Sequence, residues 1–453
     1  MTPGDASEVA ASRERTTPEP GARGGIAGTF AASGLTAAAG FVAGIVVARA
    51  LGPHLRGELA SVVVWTTLLA TAGDFGIGFA VSYVVGRDRR LASEAWTQAM
   101  LWAASLGAVL AVGAVVLVPR TVHGQTTSMS TFALGFSAIP FMLGASYQSY
   151  LLLGMARVAE GNWVRLVAGV GYAAGVVACA ATGHATVGAL VLAFWVAQVA
   201  AFLLATALVV DRARPTWRLG RATGIEVLRH GVKTQVASVA AQATLRVDQL
   251  VLAATFPPEA LGLYAVAVAL ASGTGPIFSA GAIVAIPHVS AAAHSGGGSR
   301  EVVRFLKLTA LVGLPLVVVG VVVTPWVLPL LFGKAFSGAN TSAQILLVAG
   351  LFQGWNAILG NGLRALGRPG SPAIAETMGL VLTGGLLFVL LPRFGTRGAA
   401  IASLTAYAGV ATIQLMTLAS GSGQSLARLL GEPLGLAELL SRRAPVRAVG
   451  RGP

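Results

Sequence analysis

Residues 25–57 read GIAGTFAASGLTAAAGFVAGIVVARALGPHLRG, and the fold is legible in them. The run from Gly25 to Ala48 carries no charge and is longer than the roughly 20 residues a helix needs to cross a hydrocarbon core about 30 Å thick. It ends in a corner, Arg49 to Gly57, that sets two arginines beside Gly52 and Pro53, residues that punctuate helices. Outward from this stretch, long apolar runs and short polar corners alternate along the chain. Spans are predicted at Gly25 to Ala48, Leu59 to Val85, Trp96 to Val118, Thr131 to Gly154, Val164 to Ala181 and Ala185 to Val210, then at Thr234 to Phe256, Leu261 to Val289, Val302 to Leu331, Ala343 to Leu366, Pro372 to Leu391 and Ala399 to Ala419. Composition agrees: 55% of the 453 residues are hydrophobic, 11% are charged and the mean hydropathy is +0.76, whereas soluble domains are about 25% charged. A cytosolic enzyme, a disordered chain and a repeat solenoid are excluded. The expected fold class is an all-α polytopic membrane protein of about twelve transmembrane helices.

The corner has a copy. Pro53-His54-Leu55-Arg56-Gly57, between the first and second spans, is matched by Pro258-Glu259-Ala260-Leu261-Gly262, between the seventh and eighth, at an offset of 205 residues. The same shift carries each of the first six spans onto the corresponding later one to within several residues. Six helices per half makes the repeats parallel, related by an axis along the membrane normal, and such lobes enclose a central cavity. The expected organisation is a disordered cytoplasmic tail over residues 1–24, six-helix bundles over 25–210 and 234–419, a basic cytoplasmic linker over 211–233 and a basic cytoplasmic tail over 420–453.

Lys and Arg outnumber Asp and Glu by 31 to 17, a formal net charge of +14. The basic residues fall in short segments between apolar runs, with no aromatic platform and no basic stripe on one helix, so anionic membrane lipids are the expected partner and nucleic acid is not. With the N-terminus inside, 24 of the 31 basic residues fall in cytoplasmic segments, 6 in outward connections and one, Arg246, within a span. By the positive-inside rule this asymmetry predicts a multi-pass protein of the plasma (inner) membrane with both termini cytoplasmic. The polar N-terminus has no short apolar core followed by a cleavage site, so no removable signal peptide is expected. The single cysteine, Cys179, lies in an apolar run and makes no intramolecular disulfide.

Charges at bilayer depth cost about 2.5 to 3.5 kcal/mol each on insertion scales, so each is a candidate for function. In the seventh span Gln235, Ser238, Gln242, Arg246 and Gln249 recur every three or four residues and are expected on one helical face, which needs water or a ligand. Asp248 sits about 200° around the helix from Arg246 and is expected to find its partner on another helix. Asp74, in the second span, lies among Thr67, Thr71 and Ser82 and is flanked by Gly73 and Gly76. It reads either as a titratable, ion-coupling carboxylate or as a buried acid neutralised by a proton or an arginine; Asp248 carries the same two readings, coupling group or structural pair. Gln353, Asn356 and Asn361 form a shorter polar stripe in the tenth span, and Glu376 lies near the cytoplasmic end of the eleventh, within snorkelling reach of water. Pro276, Pro287, Pro315 and Pro325 predict kinks in the eighth and ninth spans. No zinc-protease, paired-cysteine, P-loop or dinucleotide motif occurs, so no catalytic residue, metal or cofactor is expected.

Three stretches together resemble the polysaccharide (oligosaccharide-lipid) flippases of the multidrug/oligosaccharidyl-lipid/polysaccharide exporter (MOP) superfamily. They are Arg49-Ala50-Leu51-Gly52-Pro53 with Arg56-Gly57; Arg246-Val247-Asp248-Gln249 with Gly262-Leu263-Tyr264-Ala265; and Leu331-Phe332-Gly333 with Phe336, Leu363-Arg364-Ala365-Leu366-Gly367-Arg368 and Gly395-Thr396-Arg397-Gly398-Ala399-Ala400. The resemblance covers about Gly25 to Ala419. It implies two six-helix bundles around a central cavity, and a polyprenyl-pyrophosphate-linked glycan repeat unit moved from the inner to the outer leaflet by alternating access, without enzymatic chemistry. A polysaccharide polymerase and glycosyltransferases are the implied protein partners.

Arg246, with Gln242 and Gln249 on its face, is then the expected pyrophosphate contact, with Arg157 and Arg364 at the cytoplasmic mouth, because guanidinium offers a bidentate fork to phosphate oxygens. Asp74 and Asp248 are the expected ion-coupling acids. The lipid II flippases of the superfamily carry two further C-terminal helices and arginines in the first span. The uncharged first span here favours a cell-surface glycan over the peptidoglycan precursor. A cation-coupled multidrug and toxin extrusion antiporter is the main rival, and Arg246 argues for an anionic ligand against it. A major facilitator loop motif fails at Val84, where glycine is required, and a membrane glycosyltransferase would need larger outward loops than Pro119 to Ser130.

Overall fold

The computed structural model describes residues 20–122, 124–213, 220, 223–227, 229, 231, 242–273, 275–293, 297–423 and 425–431. Gln235, Ser238, most of the expected linker and most of both expected tails lie outside them. Among the described residues the regular structure is helical: α1 Pro20–Ala72, α2 Ile77–Arg87, α3 Ala92–Thr121, α4 Met129–Phe136, α5 Ile139–Gly154, α6 Val158–Ala181, α7 Val187–Ala213, α8 Val247–Thr255, α9 Pro258–Ser272, α10 Gly275–Ala293, α11 Gly298–Phe332, α12 Asn340–Ala365, α13 Gly370–Phe394, α14 Thr396–Ser422 and α15 Leu426–Gly431. Nine stretches among the described residues are long and apolar enough to cross a membrane. The protein is an all-α polytopic membrane protein.

Each predicted span has a helical counterpart, and four are divided. The first and second spans form one helix, α1, bent at Gly52, whose φ of 72° and ψ of 177° are open to glycine alone. Pro53 follows, where a new helical segment begins and its missing N–H costs nothing. The second span breaks again over residues 73–76, the fourth at Ser137 and Ala138, the seventh at Leu245 and Arg246, and the eighth at Gly273, just ahead of Pro276.

The chain forms two compact units, Met1–Ala269 with Leu328–Ala339, and Leu270–Val327 with Asn340–Pro453. The start of the second sequence repeat therefore belongs to the first unit. In that unit Leu59, Phe136, Ile139, Leu143, Tyr147 and Leu151 are fully buried, while Val109, Val112 and Leu117 on α3 are exposed, as suits a face turned to lipid. The two sequence corners meet each other here. A Cβ on Gly57 would overlap the Pro258 carbonyl, and a Cβ on Gly262 would overlap the Pro53 carbonyl. Each corner thus sets its proline carbonyl on the other's glycine, a reciprocity that matches the internal repeat and needs two residues without side chains. Around this crossing, Glu58 accepts hydrogen bonds from the Thr126 backbone N–H and from the Thr126 and Thr127 hydroxyls, at 2.8 and 2.7 Å for the hydroxyls. Arg49 donates to the Leu331 carbonyl at 2.8 Å and to that of Leu330, capping the end of α11.

In the second unit α12 packs on α10 and α14, with Phe278 seated against Gly313 and Gly354. Asn356 is buried there and donates its amide to the Tyr407 carbonyl at 3.1 Å, so this member of the tenth-span stripe joins two helices.

Candidate functional site

Asp74 lies in the turn that divides the second span. Gly73 N–H still reaches the Leu69 carbonyl at 2.8 Å, and Ile77 N–H restarts the helix on the Asp74 carbonyl at 2.9 Å. Phe75 and Gly76 between them take positive φ, 45° and 69°. A Cβ at Gly76 would overlap the Gly231 carbonyl, so this turn and Gly231 of the expected linker approach backbone to backbone. Tyr147 Oη donates to the Asp74 carbonyl at 3.3 Å. The Asp74 carboxylate is treated differently: its Oδ1 is buried and accepts no hydrogen bond from the described residues. The acid lines a cavity of about 250 Å³ with Thr71, Phe79, Ser146, Tyr150 and Gln242. Two sequence candidates, Asp74 and Gln242, are thereby brought to one site.

The seventh-span stripe does not stay on one face. Arg246 N–H turns back to the Ala243 carbonyl, its backbone sits at φ −132° and ψ −14°, and α8 restarts at Val247. Gln242 and Arg246 are exposed, whereas Gln249 is buried. The break separates Gln242 from the segment that follows, whereas Leu250 N–H bonds the Arg246 carbonyl at 3.0 Å, so Arg246 and Gln249 stay within one turn and differ in exposure. Among the described residues no carboxylate lies within ion-pair distance of Arg246. Asp248 does find its partner on another helix: Tyr264 Oη of α9 donates to Oδ2 at 2.6 Å, and Oδ1 accepts from the Gln249 N–H at 2.7 Å, at the helix end where negative charge is favoured.

Arg157, before α6, donates to Glu160 at 3.0 Å through Nε and again through a terminal nitrogen. The hydrogen-bonded Glu160 carboxylate raises the guanidinium pKa above its ordinary value. Arg212 also reaches Glu160, at 3.4 Å, so one acid serves two arginines. In the second unit Arg364 donates to Asn361 Oδ1 at 3.0 Å, and Glu376 is half-buried.

Sequence reasoning missed Arg165, which it counted only as a loop charge. The structure carries α6 back to Val158 and so places Arg165 in its second turn, lining a cavity of about 370 Å³ with Ser149, Tyr150 and Gln198. The signal available was the i, i+3 pair Asn162 and Arg165, residues that neighbour each other once a helix includes both.

A family model described as "Polysaccharide biosynthesis protein" matches residues 23–293. The chain belongs to this family. This polysaccharide biosynthesis protein finds no match among curated proteins. Its fold is that of the MOP-superfamily transporters. It superposes on an inward-facing multidrug resistance MATE family transporter of that superfamily with a TM-score of 0.69 and 15% identity, covering 87% of this chain and 96% of the other. The lipid II flippase MurJ, in an inward closed conformation, gives 0.72 and 12%, covering 91% and 90%. A MOP-superfamily transporter from Pyrococcus furiosus, whose binding pocket is described as having reverse polarity, gives 0.55 and 14%, covering 90% and 95%. The solved relatives are transporters or flippases, and at these identities they speak for the fold.

Proposed function

We propose that this protein is a flippase that moves a polyprenyl-pyrophosphate-linked oligosaccharide, the repeat unit of a cell-surface polysaccharide, across the plasma membrane by alternating access, and that it is not an enzyme. The observation that carries the reading is Arg246: within a chain of the polysaccharide biosynthesis family, an exposed guanidinium stands at a break in the seventh span with no carboxylate among the described residues to neutralise it. A diphosphate entering a low-dielectric site needs such a group. Arg246 is the primary pyrophosphate contact, Gln242 and Gln249 its neighbours in sequence, and Arg157 and Arg364 secondary basic groups. Arg157 ranks below Arg246 because Glu160 already holds it. Asp74 and Asp248 are the acids available for coupling to an ion gradient, and Asp74 is the stronger of the two because its Oδ1 has no hydrogen-bond partner among the described residues.

The termini are cytoplasmic in this reading. A cysteine placed at position 219 in a Cys179-free background will be labelled from the inside of intact cells and not from the outside. A polysaccharide polymerase and glycosyltransferases supply and consume the cargo.

The test is binding of a lipid-linked oligosaccharide by Arg246→Ala protein that melts like wild type. Loss of one charge-assisted contact costs about 1.5 to 3 kcal/mol, ten- to a hundredfold in affinity. Arg246→Lys will recover part of the loss, and affinity equal to wild type removes Arg246 from the site. The second reading, a cation-coupled antiporter of multidrug and toxin extrusion type, is favoured by the same free oxygen of Asp74. It predicts gradient-driven export of organic cations with Arg246 dispensable. A lipid II flippase predicts instead that lipid II competes with the glycolipid.

A further inference from the structure

We propose that the cavity of the first unit beside α6 is a subsite for a sugar carrying a single carboxylate, with Arg165 as the residue that selects it. The inference rests on the glycolipid reading above and names a chemical class for its cargo.

The guanidinium comes first. Arg165 donates to Asn162 Oδ1, while the same buried amide donates through Nδ2 to Thr29 Oγ1 of α1 at 3.0 Å. An amide tied at its other end to a neighbouring helix orients the arginine without neutralising it, leaving the remaining N–H donors of the fork for a ligand. Among the described residues no carboxylate lies within ion-pair distance of Arg165. Arg165 is exposed at the edge of this cavity, so the free donors of its fork meet whatever enters there, and a guanidinium without a carboxylate partner favours an anionic ligand.

The walls decide which anion. The Arg165 cavity, about 370 Å³, falls within the usual range for small-ligand sites. It shares Met142, Ser146 and Tyr150 with the cavity of about 250 Å³ that holds Asp74. Tyr150 packs on Phe79 with ring centroids 4.7 Å apart, an aromatic pair suited to the apolar face of a sugar ring. Ser149 and Gln198 add groups that both donate and accept, as hydroxyls require. Among the described residues the charges are one guanidinium in the first chamber and one acid, with a buried oxygen that has no partner among them, in the second. The pyrophosphate is assigned to Arg246 in the reading above, which leaves Arg165 as a single further cation for another part of the cargo. A monoanionic sugar places its carboxylate on Arg165 and offers hydroxyl donors toward Asp74. These features favour an acidic sugar; because Leu153, Val158, Val164 and Ala168 also give the Arg165 cavity an aliphatic wall, a phospholipid headgroup is the competing occupant that the test separates.

The experiment uses full-length protein in nanodiscs and two synthetic probes: a short-chain polyprenyl-pyrophosphate disaccharide ending in glucuronic acid, and the same molecule with glucose in its place. Wild type will bind the acidic probe at least about tenfold more tightly. Arg165→Ala will lose about ten- to a hundredfold on the acidic probe and little on the neutral one, and Arg165→Lys will retain part of the preference. Equal binding of both probes by wild type, a ratio that needs no variant to fold, overturns the subsite and leaves the glycolipid reading standing. Equal losses on both probes in Arg165→Ala, checked with Arg165→Gln if the alanine variant fails to fold, also overturn it. Phosphatidylglycerol erasing the acidic preference by Arg165-dependent binding reassigns the cavity to a lipid headgroup. Failure of wild type to bind either probe removes the glycolipid reading and this inference together.

Discussion

The turn over Gly73–Gly76 and the break at Leu245–Arg246 both interrupt a span near an aspartate, yet the two acids end in opposite states. At the seventh span the carboxylate is clasped: Tyr264 donates to one oxygen of Asp248 at 2.6 Å and the Gln249 N–H to the other. At the second span Tyr147 and the Ile77 N–H bond the backbone carbonyl of Asp74, the Gly76 N–H bears on its carboxyl group, and Oδ1 is buried with no partner among the described residues. A charge or polar group taken from water is expensive unless its lone pairs are met. The clasped acid holds helices together, and the unmet one is where a proton, cation or hydroxyl donor has something to gain.

The comparison is broken most severely at Gly76. Valine there would force a β-branched residue into left-handed backbone and drive its Cβ onto the Gly231 carbonyl. Summing strain and overpacking gives a loss of about 2 to 5 kcal/mol, to be read as a large fall in melting temperature and in folded yield. A Gly76→Val protein as stable as wild type would mean that the turn around Asp74 is not built as described. Next in size, Tyr264→Phe removes the donor to Asp248 Oδ2 and is expected to lower stability by about 1 to 3 kcal/mol, with the dependence of transport on an imposed gradient unchanged. A loss of gradient dependence at unchanged melting temperature would move the coupling role to Asp248. The smallest effect on stability is expected at Asp74→Asn, about 1 kcal/mol or less in either direction, since no hydrogen bond to Oδ1 is lost. Its consequence is functional: substrate movement in liposomes should cease to respond to a proton or sodium gradient. A large destabilisation with coupling intact would assign Asp74 to structure.

What could be read without coordinates was local in origin. Runs such as Gly25 to Ala48 reveal spans because the length needed to cross lipid and the exclusion of charge are properties of a single segment. The Pro53–Gly57 and Pro258–Gly262 corners reveal the repeat because two copies keep the same punctuation, and Gly52 marks a bend because φ of 72° requires it. The expectation that Asp248 pairs outside its own helix was likewise legible, since spacing alone kept it from Arg246.

The candidate site was legible in part. The sequence identified Arg246, Asp74 and Gln242 as polar groups at depth, by composition alone. It carried Gln242, Arg246 and Gln249 as one stripe because it assumed an unbroken helix, and the turn at Leu245 and Arg246 parts Gln242 from the other two. It passed over Arg165 because the guanidinium's setting comes from a relay, Thr29 to Asn162 to Arg165, that joins residues more than a hundred positions apart. The apolar helical segments and the Gly and Pro corners between them were determined by the sequence, because hydropathy and backbone propensity act over one turn or one span. Which acid is satisfied, which arginine is left without a carboxylate and which side chains share a cavity were decided by tertiary structure alone, because a buried polar group is satisfied or left unmet by whatever another helix sets against it.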